Sequence, residues 1–406
     1  MSAAFSDTDR ALRVTLSVSC LYGIFGVAMP FLGRWLEVER GLEGAAIGAV
    51  LSLAQLARVF ISPAFALWAD RTADRRTPLR VLALGAFVSH LVFLFWAQGF
   101  WALLISGFVA LSFSQSAAPF VEAAALRATR AGKINYGLAR GMGSVSFILA
   151  NVVGGLLVAR FGAGAVALWL IGAIGLFALS NWFALRPDPA PLEARAEPAL
   201  RKDLIRALLR APRYWIIVIG AGLIQASHAY FYGFSAILWG EQGVAEDMTG
   251  LLWGFGVALE VGFLFALPWF ERRLSPEALV LAGAAGGVTR WLIMGFAPTG
   301  FMLWPLQALH VLSFAATHVG AMRLLMRVAP EAVHGLSQSI YSGLSMGLLM
   351  GAATLMSGVL YEHVGAGGYW FMAALAGAGG AISLGLLRSG GGNLSRNGRL
   401  REVRRV

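Results

Sequence analysis

Cysteine is nearly missing from this chain, which has Cys20 and no other among its 406 residues. A lone thiol excludes both a disulfide framework and a thiolate metal cluster. Charged residues are scarce too, 13% of the chain against roughly 25% in a soluble domain. Neither His-Glu-x-x-His nor Gly-x-Ser-x-Gly occurs at a plausible place, so metalloprotease and lipid-transferase chemistry lose their signatures. No enzymatic activity and no metal or other cofactor is therefore expected. A signalling receptor is disfavoured by the lack of an appended soluble domain.

Apolar length is what the chain has in abundance: 58% of residues are hydrophobic. A bilayer core of about 30 Å needs about 20 apolar residues per helix, and stretches of that length recur twelve times. They run near 12–35, 45–68, 79–98, 100–126, 136–159 and 164–185, then near 214–238, 248–270, 278–297, 300–327, 335–361 and 367–387. The first, from Leu12 to Leu36, is too long for a signal-peptide core and no small-residue cleavage pattern follows it. It is expected to stay as a span.

Arginine sorts to alternate gaps. Arg71, Arg75, Arg76 and Arg80 share one gap, and Arg127, Arg130 and Lys133 another. Arg186 to Arg213, Arg272 with Arg273, Arg323 with Arg327, and the tail from Arg388 to Arg405 complete that set. The intervening gaps hold Glu37, Glu39 and Glu43, or Glu241, Glu246 and Asp247. Short basic loops stay cytoplasmic, so a bacterial inner-membrane protein with both termini in the cytoplasm is expected. The formal net charge of +11 is spread over loops and tail, which fits that bias better than a nucleic-acid partner.

The only long polar segment within the chain, 186–213, carries Pro187, Pro189, Pro191 and Pro198 and is expected to be a cytoplasmic linker. It separates an N-terminal six-helix bundle, 1–185, from a C-terminal one, 214–388, followed by a basic cytoplasmic tail, 389–406. Each half has a charged turn after its second helix: Asp70-Arg71-Thr72-Ala73-Asp74-Arg75-Arg76 and Glu271-Arg272-Arg273. The first resembles the acidic-basic loop of the major facilitator superfamily, with Ala66 and Ala73 where that motif usually has glycine. The resemblance implies an all-α membrane fold of two pseudo-symmetric six-helix bundles around a midplane site, with Asp70, Arg71, Arg75 and Arg76 as a gating loop. Gly343, Gly347 and Gly351 form a small-xxx-small ridge on the eleventh helix.

Ionisable groups inside spans cost about 2.5–3.5 kcal/mol at the bilayer centre on insertion scales, so they face a cavity or a partner. Here they are Arg58, Glu122, Arg140, Glu260 and Arg290, with His228, His310 and His318. Several lie on one-sided stripes. Ser112, Gln115, Pro119 and Glu122 share a face of the fourth helix, as do Arg140, Ser144, Phe147 and Asn151 on the fifth. Gln225, His228, Tyr232 and Ser235 follow the same rule, then Gln307, His310, Phe314 and Thr317, then Gln338, Tyr341 and Ser345. Either the stripes line a shared aqueous cavity, or they are hydrogen-bond glue between helices.

Ala118-Pro119-Phe120-Val121-Glu122-Ala123 followed by Tyr136-Gly137-Leu138-Ala139-Arg140 resembles the lactose permease branch, in which such a Glu and Arg bind the sugar. Phe147 falls where that branch stacks a tryptophan on substrate, and Ser144 where it has a small residue. Glu260, Arg290 and His310 resemble its acidic, basic and histidine coupling residues, but Ser313 stands where a further carboxylate would be. Gln225-Ala226-Ser227-His228, Tyr232-Gly233-Phe234-Ser235, Gly256 to Val261, Arg290-Trp291, Gln307 to His310, Thr317-His318 and Ala321-Met322-Arg323 are closer to the phenylpropionate permease family, a branch of proton symporters. That resemblance implies proton-coupled import of a small organic solute, an aromatic or other organic acid being favoured. The alternatives are a proton-coupled nucleoside or sugar symporter, or a proton-antiport exporter. An exporter usually carries a Gly-Pro pair near the end of the fifth helix, where Asn151-Val152-Val153-Gly154-Gly155 has no proline.

The implied substrate site comprises Glu122, Arg140, Phe147, Gln115, Gln225, His228, Tyr232, Gln338 and Tyr341, and the implied proton-coupling set Glu122, Glu260, Arg290 and His310. The implied partners are a small-molecule substrate, protons and the lipid bilayer, and the unit is expected to function as a monomer. Arg58, His318 and Arg323 are placed toward the inner end, as gate or packing residues.

Overall fold

The computed structural model describes residues 2–69, 71–72, 74, 76–130, 136–184 and 198–388. Its elements are helices, as a chain in lipid requires when every backbone polar group must be satisfied internally. Six crossings come first: α1 (Ser2–Arg40), α2 (Gly44–Ala69), α3 (Arg76–Leu91), α4 (Gly99–Arg130), α5 (Tyr136–Phe161) and α6 (Gly164–Leu179). A short helix, α7 (Pro198–Leu209), follows. The second set opens with α8 (Pro212–Ala226) and α9 (Ala229–Glu241) as one crossing, then α10 (Glu246–Glu271) and α11 (Pro276–Met294). Next come α12 (Leu303–Ala308) with α13 (Thr317–Val328), α14 (His334–Ser342) with α15 (Met350–Val364), and α16 (Gly368–Ser383), ending in the single turn α17 (Gly385–Arg388).

Among the described residues, eleven stretches are long and apolar enough to cross a membrane by length and composition. The last, Glu331–Leu387, is interrupted at Gly365–Gly367. There Gly365 takes φ 49°, a left-handed value that costs glycine little, and the chain turns into α16. That makes twelve crossings. Large apolar side chains such as Phe60, Phe161, Phe265 and Phe301 stand exposed on the outside, where lipid would cover them. Tryptophans mark the two interfaces: Trp68, Trp182, Trp215 and Trp269 at the basic end, Trp96, Trp101 and Trp370 at the acidic end. At the basic end Arg80 lies 5.3 Å from the Trp182 ring centroid and Arg273 lies 3.9 Å from that of Trp269.

The halves meet through α1 on α9, α2 on α15 and α5 on α10. Small residues allow these contacts. Gly33 lies against the Gly233 carbonyl and Gly250 against the Asn151 carbonyl, so a Cβ at either would collide with backbone, and one at Gly48 would crowd Gly358. Of the ridge on α14–α15, Gly347 and Gly351 pack on Gln55, Leu56 and Val59 of α2, whereas Gly343 faces open space.

Polar bonds reinforce the same closure. Arg34 donates from Nη1 to Glu37 at 2.7 Å and from Nε to Glu246 at 3.2 Å. Tyr361 Oη lies 2.6 Å from Glu241 and 3.2 Å from Glu37, and the Ala45 amide donates to Glu362 at 2.6 Å. These joins run from mid-bundle to the acidic end.

The interval expected to be a linker contains α7. Its Leu208 is fully buried with Tyr214, Ile217 and Val333, so the helix is docked on the second bundle. Residues 185–197 and the tail 389–406 lie outside the described residues.

Candidate substrate and coupling site

Pro119 interrupts the hydrogen-bond ladder of α4 one turn before Glu122, and Arg140 sits one turn into α5. The two helices bring the side chains together, with Arg140 Nε 3.5 Å from Glu122 Oε1. Arg140 Nη1 also donates to Ser144 at 3.2 Å. Both ionic side chains keep access to open space, 37% for Arg140 and 30% for Glu122. Tyr22 of α1 completes the arrangement. Its hydroxyl donates to Glu122 at 2.9 Å, and its ring centroid lies 4.4 Å from the Arg140 guanidinium carbon. The stripes drawn from the sequence did not include Tyr22, although Thr15, Ser19 and Tyr22 follow i, i+4 and i+7 on α1. Phe147 is nearly buried in the bundle core, and its carbonyl accepts a 2.7 Å bond from Asn151. Gln115 is half-buried, and its Oε1 has no hydrogen-bond partner.

The second half builds a different site, around breaks in its helices. The seventh crossing is interrupted at Ser227–His228, between α8 and α9. In the tenth, a π-helical segment, Val311–Ala316, follows α12. Such breaks free backbone carbonyls in mid-membrane, and polar side chains answer them. Gln225 Nε2 donates to the Phe314 carbonyl at 3.1 Å, and Ser227 Oγ to that of Ile224 at 2.6 Å. His228 lies 3.0 Å from both the Gln225 carbonyl and Ser313 Oγ. Ser313, found where a carboxylate was expected, positions His228 here.

Arg290 is fully buried. Its Nη1 donates to His310 Nδ1 at 3.1 Å and its Nη2 to Gln307 Oε1 at 2.8 Å, while Phe231 and Trp291 lie 4.5 and 4.4 Å from its guanidinium carbon. Glu260 Oε2 is 3.8 Å from His310 Nε2. His310 therefore stands between Glu260 and Arg290, one ring nitrogen toward each. His310 also stacks on Phe314 at 5.1 Å, and Phe314 on His318 at 6.5 Å.

The remaining candidates scatter. Tyr232 is half-buried beside His228, with ring centroids 5.6 Å apart. Tyr341 is buried with Tyr214, Ile217 and Leu325 inside the second bundle, away from the pair on α4 and α5, and Gln338 is half-buried one turn nearer the basic end. Of the gating loop, Arg76 pairs with Asp74 at 2.7 Å and the Arg71 amide donates to the Trp68 carbonyl. Asp70 and Arg75 lie outside the described residues. Among the described residues, no three His, Cys, Asp or Glu side chains are grouped to hold a metal ion.

The profile of the MFS_1 like family matches residues 16–372. The chain is 32% identical over 358 residues to a probable 3-phenylpropionic acid transporter of Escherichia coli (strain K12), covering 87% of this chain and 91% of that protein. It is 27% identical over 371 residues to a maltose permease of Geobacillus stearothermophilus, covering 89% and 91%. Its fold superposes on the crystal structure of nucleoside transporter NupG with a TM-score of 0.75 at 17% identity, covering 93% and 98%.

Proposed function

Since the chain belongs to the MFS_1 like family, whose relatives are multi-pass membrane transporters, we propose that it imports a small organic acid, aromatic in preference, together with a proton by alternating access. The observation that carries this reading is the half-exposed Glu122–Arg140 pair. A guanidinium cannot lose its charge at working pH, and its fixed fork of donors matches a carboxylate. A substrate carboxylate displaces Glu122 from Arg140, and Glu122 turns to Tyr22 or takes a proton. The apolar part of the substrate lies toward Phe314 and His318. Glu260, joined through His310 to the buried Arg290, holds the coupled proton until the substrate leaves. By the positive-inside bias the basic end faces the cytoplasm, and the joins at the acidic end support an inward-open reading.

One proton moving with one monovalent acid carries no net charge. Membrane potential, about 2.3 kcal/mol per charge per 100 mV, then contributes little, and the pH gradient supplies about 1.4 kcal/mol per unit. Proteoliposomes loaded with each gradient separately test this with labelled 3-phenylpropionate. Uptake driven by the pH gradient alone supports the proposal, and uptake driven by potential alone at equal pH contradicts it. A neutral sugar or nucleoside moved with one proton would respond to both gradients.

A further inference from the structure

The interval between the halves holds a surface that the transport reading leaves unused. Helix α7 buries Leu208 against the second bundle and turns Lys202, Arg206 and Arg210 outward at i, i+4 and i+8. With Ile205 and Leu209 these cations line an open groove of about 420 Å³. Lys202, Arg206 and Arg210 make no ion pair or side-chain hydrogen bond with another described residue, whereas neighbouring Arg213 is held by Glu277 at 3.1 Å. Leu209 is 39% exposed beside them, an apolar side chain left uncovered among charges.

The depth of this face is marked. Trp215 Nε1 donates to the Leu209 carbonyl at 2.8 Å and so ties the end of α7 to the tryptophan belt of the basic interface. A row of cations at headgroup level, flanked by exposed apolar side chains on an amphipathic helix, matches one occupant: a lipid with an anionic head and an acyl chain.

We propose that the outer face of α7 is a binding site for anionic phospholipid. Lys202, Arg206 and Arg210 hold the phosphate, and Ile205 with Leu209 meets the first part of the acyl chain. The site is independent of the substrate carried. It ties the segment connecting the two bundles to the lipid of the leaflet at the basic end.

Native mass spectrometry of the purified full-length protein tests the proposal, with phosphatidylglycerol, phosphatidylcholine and inorganic phosphate as separate probes. Phosphatidylglycerol is retained preferentially by the parent chain. A juxtamembrane cation contributes roughly fivefold to anionic-lipid binding, so Arg206→Gln weakens retention about fivefold and Lys202→Gln/Arg206→Gln/Arg210→Gln on the order of 100-fold. Leu209→Ser weakens phosphatidylglycerol without changing phosphate. Melting in lipid-free detergent stays unchanged, because none of these side chains bonds to the fold. If the triple variant fails to fold, the single Arg206→Gln carries the test. Equal phosphatidylglycerol retention by the parent and Arg206→Gln overturns the proposal. So does equal retention of phosphatidylcholine, or a phosphate affinity as high as that of the lipid.

Discussion

Two arginines, one in each half, sit in opposite surroundings. Arg140 has 37% of its side chain open, with one carboxylate, one serine and one tyrosine ring around it. Arg290 is closed off, sandwiched by Phe231 and Trp291 and donating to His310 and Gln307. An exposed cation can exchange its partner for a ligand at little cost. A buried one loses several kcal/mol if a partner goes, so its surroundings must move as a unit. On the proposed function, the difference suits the first arginine to substrate and the second to the coupling machinery with Glu260 and His310.

The largest effect falls on the closed site. Arg290→Ala leaves His310 and Gln307 without their donor and opens a void between two aromatic rings, which costs about 3–5 kcal/mol. It should lower the melting temperature of the purified protein sharply. Arg140→Ala, at a site with open space, should leave melting within a few degrees of the parent. Equal losses from the two substitutions would erase the contrast.

A smaller effect is predicted at the acidic end. Glu246→Gln replaces a charge partner of Arg34 that is 17% exposed, while Glu37 still holds the guanidinium. The closure weakens by about 1 kcal/mol, which multiplies the population open at that end roughly fivefold. Spin labels at Glu39→Cys and Ala245→Cys in a Cys20→Ser background report it as a new, longer distance. An unchanged distribution would show that the glycine contacts alone keep this end shut.

The smallest effect is at Tyr22. Tyr22→Phe keeps the ring under Arg140 and removes one hydrogen bond to Glu122, about 1 kcal/mol, so half-saturation for substrate should shift severalfold with maximal rate nearly kept. A collapse of maximal rate would instead place Tyr22 in the conformational step.

The crossings could be read from the chain because a run of about 20 apolar residues and a 3.6-residue period each have one economical structure. The same period put Glu122 and Arg140 on inward faces of neighbouring helices. It does not say what a polar face meets. Gln338, Tyr341 and Ser345 share a face, yet Tyr341 and Ser345 are buried inside the second bundle, Tyr341 beside Tyr214, Ile217 and Leu325. The irregular backbone around His310 likewise sets its ring between Glu260 and Arg290, which spacing alone cannot foresee. Tyr22 and α7 lay outside the stripes drawn: the first shares a face with only the small hydroxyls Thr15 and Ser19, and the second is a short helix behind a proline-bearing segment.

The division of labour between the two sites is tested most directly by counterflow and uphill uptake of labelled 3-phenylpropionate in proteoliposomes carrying Arg140→Lys or Glu260→Gln. Arg140→Lys keeps the charge but loses the two-donor fork, and should abolish both counterflow and uphill uptake. Glu260→Gln should retain counterflow and lose accumulation against a gradient. Uphill uptake surviving in Glu260→Gln, or counterflow surviving in Arg140→Lys, would contradict the assignment.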